Sequence, residues 1–240
     1  MASLATRLQR REDIAHGTMA FHFDKPAGFR FKAGQAIDLI LPDLAGGASG
    51  SDRHAFSIVS APHESDLVVA TRMRDSTFKN ALAGLPIGGL AQVDGPFGSL
   101  TLHRKPNRAA VFIAGGIGIT PFISMLRHAS RNAPDQRLVL LYSNRRPEDT
   151  AFLTELQRLE GDNRNFRLVA TMTRMVESSL LWMGRAGPID EDLLKRVAED
   201  LPDPIYYVAG PPSMVTALCD ALERAGVDAD DIRSEAFHGY

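Results

Sequence analysis

The stretch that most limits what this chain can become is Ala109-Ala-Val-Phe-Ile-Ala-Gly-Gly-Ile-Gly-Ile-Thr-Pro121. Ala109 to Ala114 is an uninterrupted apolar run, the pattern of a strand buried in a parallel sheet. Gly115, Gly116 and Gly118 follow at once, and Ile119 to Arg131 carries helical periodicity. The order strand, glycine turn, helix gathers backbone N–H groups and a helix N-terminus at one point. Glycine lets the backbone approach a guest closely, and the helix dipole favours an anion. A phosphate or pyrophosphate is the natural ligand. The spacing Gly-Gly-x-Gly is not the Gly-x-Gly-x-x-Gly of the dinucleotide fingerprint, however, and it also serves a plain tight turn. Ala109 to Leu126 is 18 residues without a charge, the lower end for a membrane helix. Three glycines and a proline interrupt it and no second such run exists, so the membrane reading is rejected.

A chain of 240 residues holds one large domain or two ordinary ones. With 44% hydrophobic and 23% charged residues it can bury a sizeable core. The net charge of −2 does not favour a general nucleic-acid surface. One cysteine, Cys219, rules out a disulfide framework, a structural zinc cluster and a cysteine-ligated iron–sulfur centre within these residues, and no metal site is expected. The first residues run into Arg10-Arg-Glu-Asp13 with no apolar signal region, so the cytoplasm is the expected compartment.

From the start to residue 104 the pattern is mostly β. Met19, Phe21 and Phe23 alternate with polar or small neighbours, and Gly34 to Leu41 alternates again up to Pro42. Leu44 to Ser51 reads as a flexible loop. Phe56–Ser60 and Leu67–Met73 are further strand candidates, a short helix capped by Ser76 or Thr77 ends at Gly84, and Ala91–Asp94 and Ser99–His103 close the set. Several short strands at this spacing suggest a barrel or sandwich. The register changes at Lys105-Pro-Asn-Arg108, which separates 1–104 from 105–240. Beyond it strands (109–114, 137–142, 166–171, 204–209) alternate with helices (119–132, 147–160, 189–198, 211–225), the rhythm of an open parallel sheet.

Further polar clusters join the glycine turn. Arg53-His-Ala-Phe-Ser57 combines an arginine, an aromatic ring and a hydroxyl on a strand, with Arg53, Ala55 and Ser57 on one face and His54 and Phe56 on the other. Arg72-Met-Arg-Asp-Ser-Thr-Phe-Lys79 is a polar turn that opens a helix and offers free N–H groups. Ser143-Asn-Arg-Arg146 follows the second strand of the open sheet, where two arginines suit an extra ribose phosphate. Gly210-Pro-Pro-Ser-Met214 is another turn into a helix, and Ser234-Glu-Ala-Phe-His-Gly-Tyr240 is a tail with two aromatics and a carboxylate. Each also has an ordinary structural use.

Taken in this order, the motifs Arg53…Phe56-Ser57, Gly95-Pro-Phe-Gly98, Gly115 to Pro121, Gly210 to Met214 and Glu235-Ala-Phe237 make the chain resemble the ferredoxin–NADP⁺ reductase superfamily over essentially its whole length. The resemblance implies two domains: an N-terminal antiparallel six-stranded β-barrel that binds flavin, and a C-terminal α/β domain with a parallel sheet that binds NAD(P)H. It implies that Arg53 holds the flavin phosphate, that Phe56 stacks on the isoalloxazine and that Ser57 lies beside flavin N5. Ala55, Thr71, Arg72, Ser76, Thr77 and Phe78 would complete the flavin side. Gly115, Gly116, Gly118, Thr120 and Pro121 would face the nicotinamide nucleotide, together with Gly210, Pro211 and Met214. Ser143, Asn144 and Arg145 would lie at the 2′-phosphate, and Phe237 or Tyr240 would shield the flavin. Ser57, Thr120 and Glu235 are the expected catalytic residues, Glu235 either relaying a proton or only shaping the tail.

Three departures stand out. Two residues separate Arg53 from Phe56 where the family has one, so His54 occupies the usual arginine slot and either can hold the phosphate. The family's Cys-Gly is Ala209-Gly210 here, without the thiol. The cysteine quartet of members with a fused iron–sulfur module is absent. The expected activity is hydride transfer from NAD(P)H to flavin N5, then electron delivery to a separate acceptor such as ferredoxin, flavodoxin or another oxidoreductase subunit. FAD is favoured over FMN because Arg72 to Lys79 can serve a second phosphate, and NADP over NAD on Arg145 and Arg146. A free-flavin or ferric reductase, or a non-enzymatic nucleotide-binding module, are the alternatives.

Overall fold

Alternation of period two builds the first half of the chain and buried apolar runs build the second. The computed structural model describes residues 3–44, 52–133 and 135–238; most of the expected flexible loop, and Tyr240, lie outside them. Strands β1 (Leu4–Ala15), β2 (Thr18–Asp24), β3 (Ala36–Ile40), β4 (Arg53–Ser57), β5 (Asp66–Arg72) and β6 (Leu90–Phe97) form an antiparallel sheet in the order β4-β3-β6-β1-β2-β5. A single bridge between Ile58 and Val69 joins its two edges into a barrel. The inward residues Leu8, Phe21, Phe23, Ile37, Leu39 and Leu67 are fully buried. Helix α1 (Thr77–Gly84) lies over this core with Phe78 and Leu82, and Ser76 Oγ caps it by accepting from Lys79 N–H at 3.2 Å.

The second half alternates β7 (Ala110–Gly115), α2 (Thr120–Asn132), β8 (Leu138–Asn144), α3 (Leu153–Asp162), β9 (Phe166–Met172), β10 (Arg185–Ala186), α4 (Glu191–Ala198), β11 (Ile205–Gly210), α5 (Pro212–Arg224) and β12 (Ile232–Ala236). All six strands are parallel, in the order β10-β9-β8-β7-β11-β12. Val111, Ile113, Val139 and Leu141 face α4 and α5, whereas Phe112, Leu140 and Tyr142 face α2 and α3. The fold is the expected barrel followed by an α/β unit. No helix among the described residues is long and apolar enough to cross a membrane.

Four local expectations are corrected. The longest strand, β1, was not foreseen, because only Thr6 and Leu8 of its twelve residues are buried and its charged side chains mask the alternation. The terminal segment is no loose tail but β12, paired residue for residue with β11. Ser99–His103 is not a strand: its backbone is held by side chains, Arg233 donating to Thr101 O at 2.7 Å and His103 N–H donating to Tyr207 Oη at 2.9 Å. The strand expected at Phe56–Ser60 starts earlier, at Arg53, because Arg53 to Ser57 pair with Ile40 to Ala36 and the chain then leaves the ladder.

One apolar cluster runs through both halves: Ala20, Val68 and Ala70 on the outside of the barrel pack with Phe122, Met125 and Leu126 of α2. Polar bonds line this contact. Ser124 Oγ donates to Ser60 O at 2.7 Å, and Arg127 holds Glu155 at 2.7 and 2.9 Å and Glu64 at 3.3 Å. His103, on the connecting segment, is buried against Tyr207, Gln136 and the Arg108 carbonyl. Burial holds its pKa below the ordinary 6.5, so the ring is neutral in the fold and must shed a proton to enter it. That contribution is complete above the unfolded-state pKa of about 6.5 and declines as pH falls below it. The thermal midpoint is therefore expected to be level down to about pH 6.5 and to fall below it, before most carboxylates titrate. His103→Gln should reduce that drop in calorimetric scans, the remainder belonging to His128, whose pKa burial also lowers; an unchanged profile would dismiss the assignment.

Candidate functional site

The carboxyl ends of β7 and β11 meet with almost no space between them. Beyond Gly115 the chain makes a tight turn over Gly116–Ile119, with Gly116 at φ 54°, and enters α2 at Thr120 with Pro121 in its first turn. A Cβ on Gly118 would stand 2.3 Å from Ala209 O, and one on Gly115 would stand 2.4 Å from Met214 Sδ. These glycines are required by close approach of two turns. Gly116 differs: a Cβ there meets nothing within 4 Å, because its front is an open cleft. Tyr142 supports the turn from below, its hydroxyl donating to Gly116 O at 3.1 Å.

The cleft has a volume of about 270 Å³. The α/β unit lines it with Gly115, Gly116, Gly118, Ser143, Asn144, Arg145, Gly210, Pro211, Met214 and Phe237, and the barrel adds Arg72 and Arg74. Past Ser143, Thr173 and Met214 it continues into an aliphatic hollow of about 540 Å³ floored by Ile189, Ala217, Leu218 and Ala221. A larger hollow of about 730 Å³ lies elsewhere between the two halves, but its Arg10, His22, Arg127 and Glu155 are bonded to one another or to neighbours. It touches neither glycine turn.

The cleft is rich in unspent donors. Asn144 is buried, and its side-chain amide has only the Tyr142 hydroxyl beside it. Arg145 is exposed and has no carboxylate partner among the described residues. Its neighbour is different: Arg146 forms a two-point pair with buried Asp149 at 2.9 and 2.8 Å, and that guanidinium holds the Asp149 carboxyl below the usual range. Of the two arginines expected to read a ribose phosphate, Arg145 alone faces the cleft. Phe237 is fixed by its N–H donating to Gly210 O at 2.9 Å. Glu235, opposite Ala209 in the β12 ladder, has its carboxyl pushed up by burial.

Other expected residues are not part of this cleft. Thr120 is buried and its hydroxyl donates to Ile117 O at 3.0 Å, bracing the turn. On β4 the side chains divide by face. Arg53 points outward to Asp38 and Asp94, at 3.4 and 3.8 Å. His54 and Phe56 point the other way, their rings stacked with centroids 4.7 Å apart and Phe78 beside both. Ser57 and Thr71 are buried, Ala55 and Thr77 are accessible, and Ser76 is engaged in its cap. Arg74 and Thr173 at the cleft were not singled out from the sequence. For Arg74 a signal was present: it lies two residues past Arg72, on the same face of a chain that is still extended.

Comparison with known proteins agrees with this geometry. Residues 112–220 match the oxidoreductase NAD-binding domain. The chain is 33% identical over 186 residues to ferredoxin–NADP reductase B of Sorangium cellulosum, covering 75% of this chain and 73% of that protein. It is 28% identical over 242 residues to the reductase component of propane 2-monooxygenase of Rhodococcus jostii, covering 97% of this chain and 63% of that one. The fold superposes on a ferredoxin NADP⁺ reductase of Neisseria gonorrhoeae, solved with FAD and NADP, with a TM-score of 0.82, 22% identity and coverage of 98% and 99%. The site and fold thus define a two-domain nucleotide-binding oxidoreductase. The chain belongs to the ferredoxin–NADP⁺ reductase superfamily, whose members bind flavin and NAD(P)H. It spans 60 to 63% of the length of several oxygenase-reductase relatives.

The contrast between the glycines is testable by urea unfolding. Gly116→Ala should cost only the positive-φ penalty of roughly 1–2 kcal/mol. Gly118→Ala, whose methyl group would overlap a backbone oxygen, should cost at least about as much again through forced displacement of the two turns. Equal losses would show that the turns are not in the contact described.

Proposed function

We propose that this chain oxidises NAD(P)H through a bound flavin and delivers the electrons to a separate acceptor. The observation that carries the reading is the cleft itself, where a glycine turn, the Gly210 turn, Phe237 and two barrel arginines converge around an open space. Residues 1–104 would serve the flavin and 105–240 the nicotinamide nucleotide. A bound flavin would supply chemistry that no side chain here offers, accepting hydride at N5 and releasing electrons singly. The protein's part is to bind, align and exclude water.

The residues fit that division of labour. The Gly115–Gly118 turn, open in front of Gly116, would offer backbone N–H groups to a phosphate. Ser143 and Arg145 stand at the rim, where a hydroxyl and a guanidinium suit a 2′-phosphate, so NADPH is favoured over NADH. With Arg146 spent on Asp149, this preference rests on Arg145. On the barrel, His54 and not Arg53 shares the face of Phe56 and Phe78 at α1, so His54 is assigned the flavin phosphate. Flavin reaches the Phe56 ring only if His54 or Phe78 moves aside, since the two cover it. Ser76, Thr77 and the free N–H groups of α1 would take a second phosphate, which favours FAD over FMN. Thr120 would hold the turn in place beneath the rings. Glu235, which burial keeps readier to carry a proton, would sit beside the Gly210 turn. The acceptor would be a ferredoxin, a flavodoxin or a subunit of a larger oxidoreductase, in keeping with relatives named as reductase components.

The deciding measurement is anaerobic titration of the purified yellow protein with NADPH and with NADH. Bleaching with at least one is expected, and a protein that stays yellow with both is no reductase. In steady-state assays, Arg145→Ala should raise KM for NADPH roughly tenfold or more, as loss of a charged hydrogen bond does, with little change for NADH. Equal effects would remove the 2′-phosphate role. His54→Ala should lose flavin on gel filtration and Arg53→Ala should keep it; the reverse would return the phosphate to Arg53.

A further inference from the structure

The connection between β9 and β10 carries the most exposed apolar side chains of the molecule. Val176, Leu181 and Met183 are each at least 95% accessible, and Leu180 is 53% accessible. Among the described residues no other large apolar side chain exceeds 58%. The loop is held in this shape. Ser178 Oγ, Ser179 N–H and Ser179 Oγ all donate to the Glu148 carboxylate, at 2.9, 2.8 and 3.1 Å. Trp182 folds inward, its Nε1–H donating to Arg185 O at 3.0 Å. Its ring lies over Gly184, where a Cβ would stand 2.6 Å from the indole. With the indole turned in, Leu181 and Met183 on either side of it are left in solvent. A single exposed leucine needs no explanation, but four large apolar side chains within eight residues form a patch.

We infer that this loop is a self-association surface and that a second copy of this chain covers it. Charge points to that occupant. The charged residues from 174 to 190 are Arg174, Glu177, Arg185 and Asp190, two of each sign. All four are partly exposed, in the pairs Arg174–Glu177 at 3.4 Å and Arg185–Asp190 at 2.8 Å. A balanced rim complements itself across a two-fold axis, where each residue meets the same patch on the other copy. A strongly acidic partner or an anionic lipid surface would instead call for a rim with excess positive charge. Area agrees. At the burial value of an aliphatic side chain, the four supply roughly 250–500 Å² of apolar surface per copy. That is the size of the apolar core in an interface of about 800 Å² per partner, the remainder being polar rim. The contact is one of side chains. β10 forms the edge of the parallel sheet, and its two residues are too few to template another strand. The loop begins beside Thr173, which lines the nucleotide cleft, and ends at Pro188, which lines the aliphatic hollow, so pairing places the second copy at the rim of that cleft.

The test is sedimentation of the full chain as purified, from about 1 to about 100 µM, because a dimer of this kind is governed by protomer concentration. The mass should rise with concentration from that of one chain toward that of two. Leu181→Asp and Met183→Asp should each raise the dissociation constant roughly tenfold or more, the scale of a central interface side chain. Val176→Asp, on the other arm of the loop, should act in the same direction. All three side chains stand in solvent in the single chain, so the variants should keep the parent's circular dichroism and thermal midpoint. Ile87→Asp, which removes an exposed apolar side chain from the barrel, should leave the association unchanged. The inference is overturned if the parent remains a single chain throughout, or if the loop variants associate as tightly as the parent. It is also overturned if Ile87→Asp weakens association as much as they do, since that would be general adhesion. A single-chain parent that co-sediments with phosphatidylglycerol vesicles, and a Leu181→Asp variant that does not, would assign the loop to a lipid surface and dismiss the dimer.

Discussion

Helix α2 is the piece on which everything else leans. Most globular helices bury one stripe, but here Thr120, Pro121, Phe122, Ile123, Ser124, Met125 and Leu126 are all buried. The parallel sheet takes one side and the barrel the other. Burying side chains of the size of Phe122, Ile123, Met125 and Leu126 is worth about 1.5–3 kcal/mol each relative to exposure. Contact is close enough that a Cβ on Gly34 of the barrel would lie 2.2 Å from Met125 Cε and 2.1 Å from Leu100 O. The glycine turn is the N-terminal end of this wedged helix. A ligand touching the turn also faces Arg72 and Arg74 of the barrel.

Charge is distributed to match. Arginines that tie elements together are satisfied: Arg127 joins α2 to α3 and to the barrel turn at Glu64, and Arg108 ties the connecting segment to Asp231. Arg145 at the cleft mouth is not. Pairing is what a structural arginine needs when partly buried, and its absence at a concave site leaves donors for a guest. Asn144 is similar: at the cleft wall its buried amide has only the Tyr142 hydroxyl beside it, which leaves bonding capacity for a polar ligand.

How much of this was legible follows from what each signal depends on. The strand–turn–helix unit at Ala109 was plain because burial on both faces leaves an unbroken apolar run, and the helix it feeds has no competing pattern. Most barrel strands were legible, but not β1, whose polar exterior hides a period of two behind consecutive charges, and Ser99–His103 read as a strand without being one. β12 was hidden for another reason: Ile232 to Ala236 are only partly buried and take their strand identity from β11 alongside. At the site, residues tied to backbone geometry, such as Gly118 and Gly210, were readable from local sequence. Partnership was not. Nothing in Ser143-Asn-Arg-Arg146 says that the second arginine is spent on Asp149, or that Arg74, seventy residues earlier, faces the same cleft.

The displaced arginine on β4 shows how strand parity decides such matters. With one residue between arginine and aromatic ring, both lie on one face; with two, they lie on opposite faces. Arg53 thus stands on the outer face, and the sheet has a use for it there. Asp38 on β3 is directly opposite Asp94 on β6, two carboxylates that repel across the ladder. Arg53, next along on β4, bonds Asp38 and lies within ion-pair distance of Asp94. That pairing on the outer face is independent of any cofactor. His54 falls on the inner face, its ring stacked on Phe56.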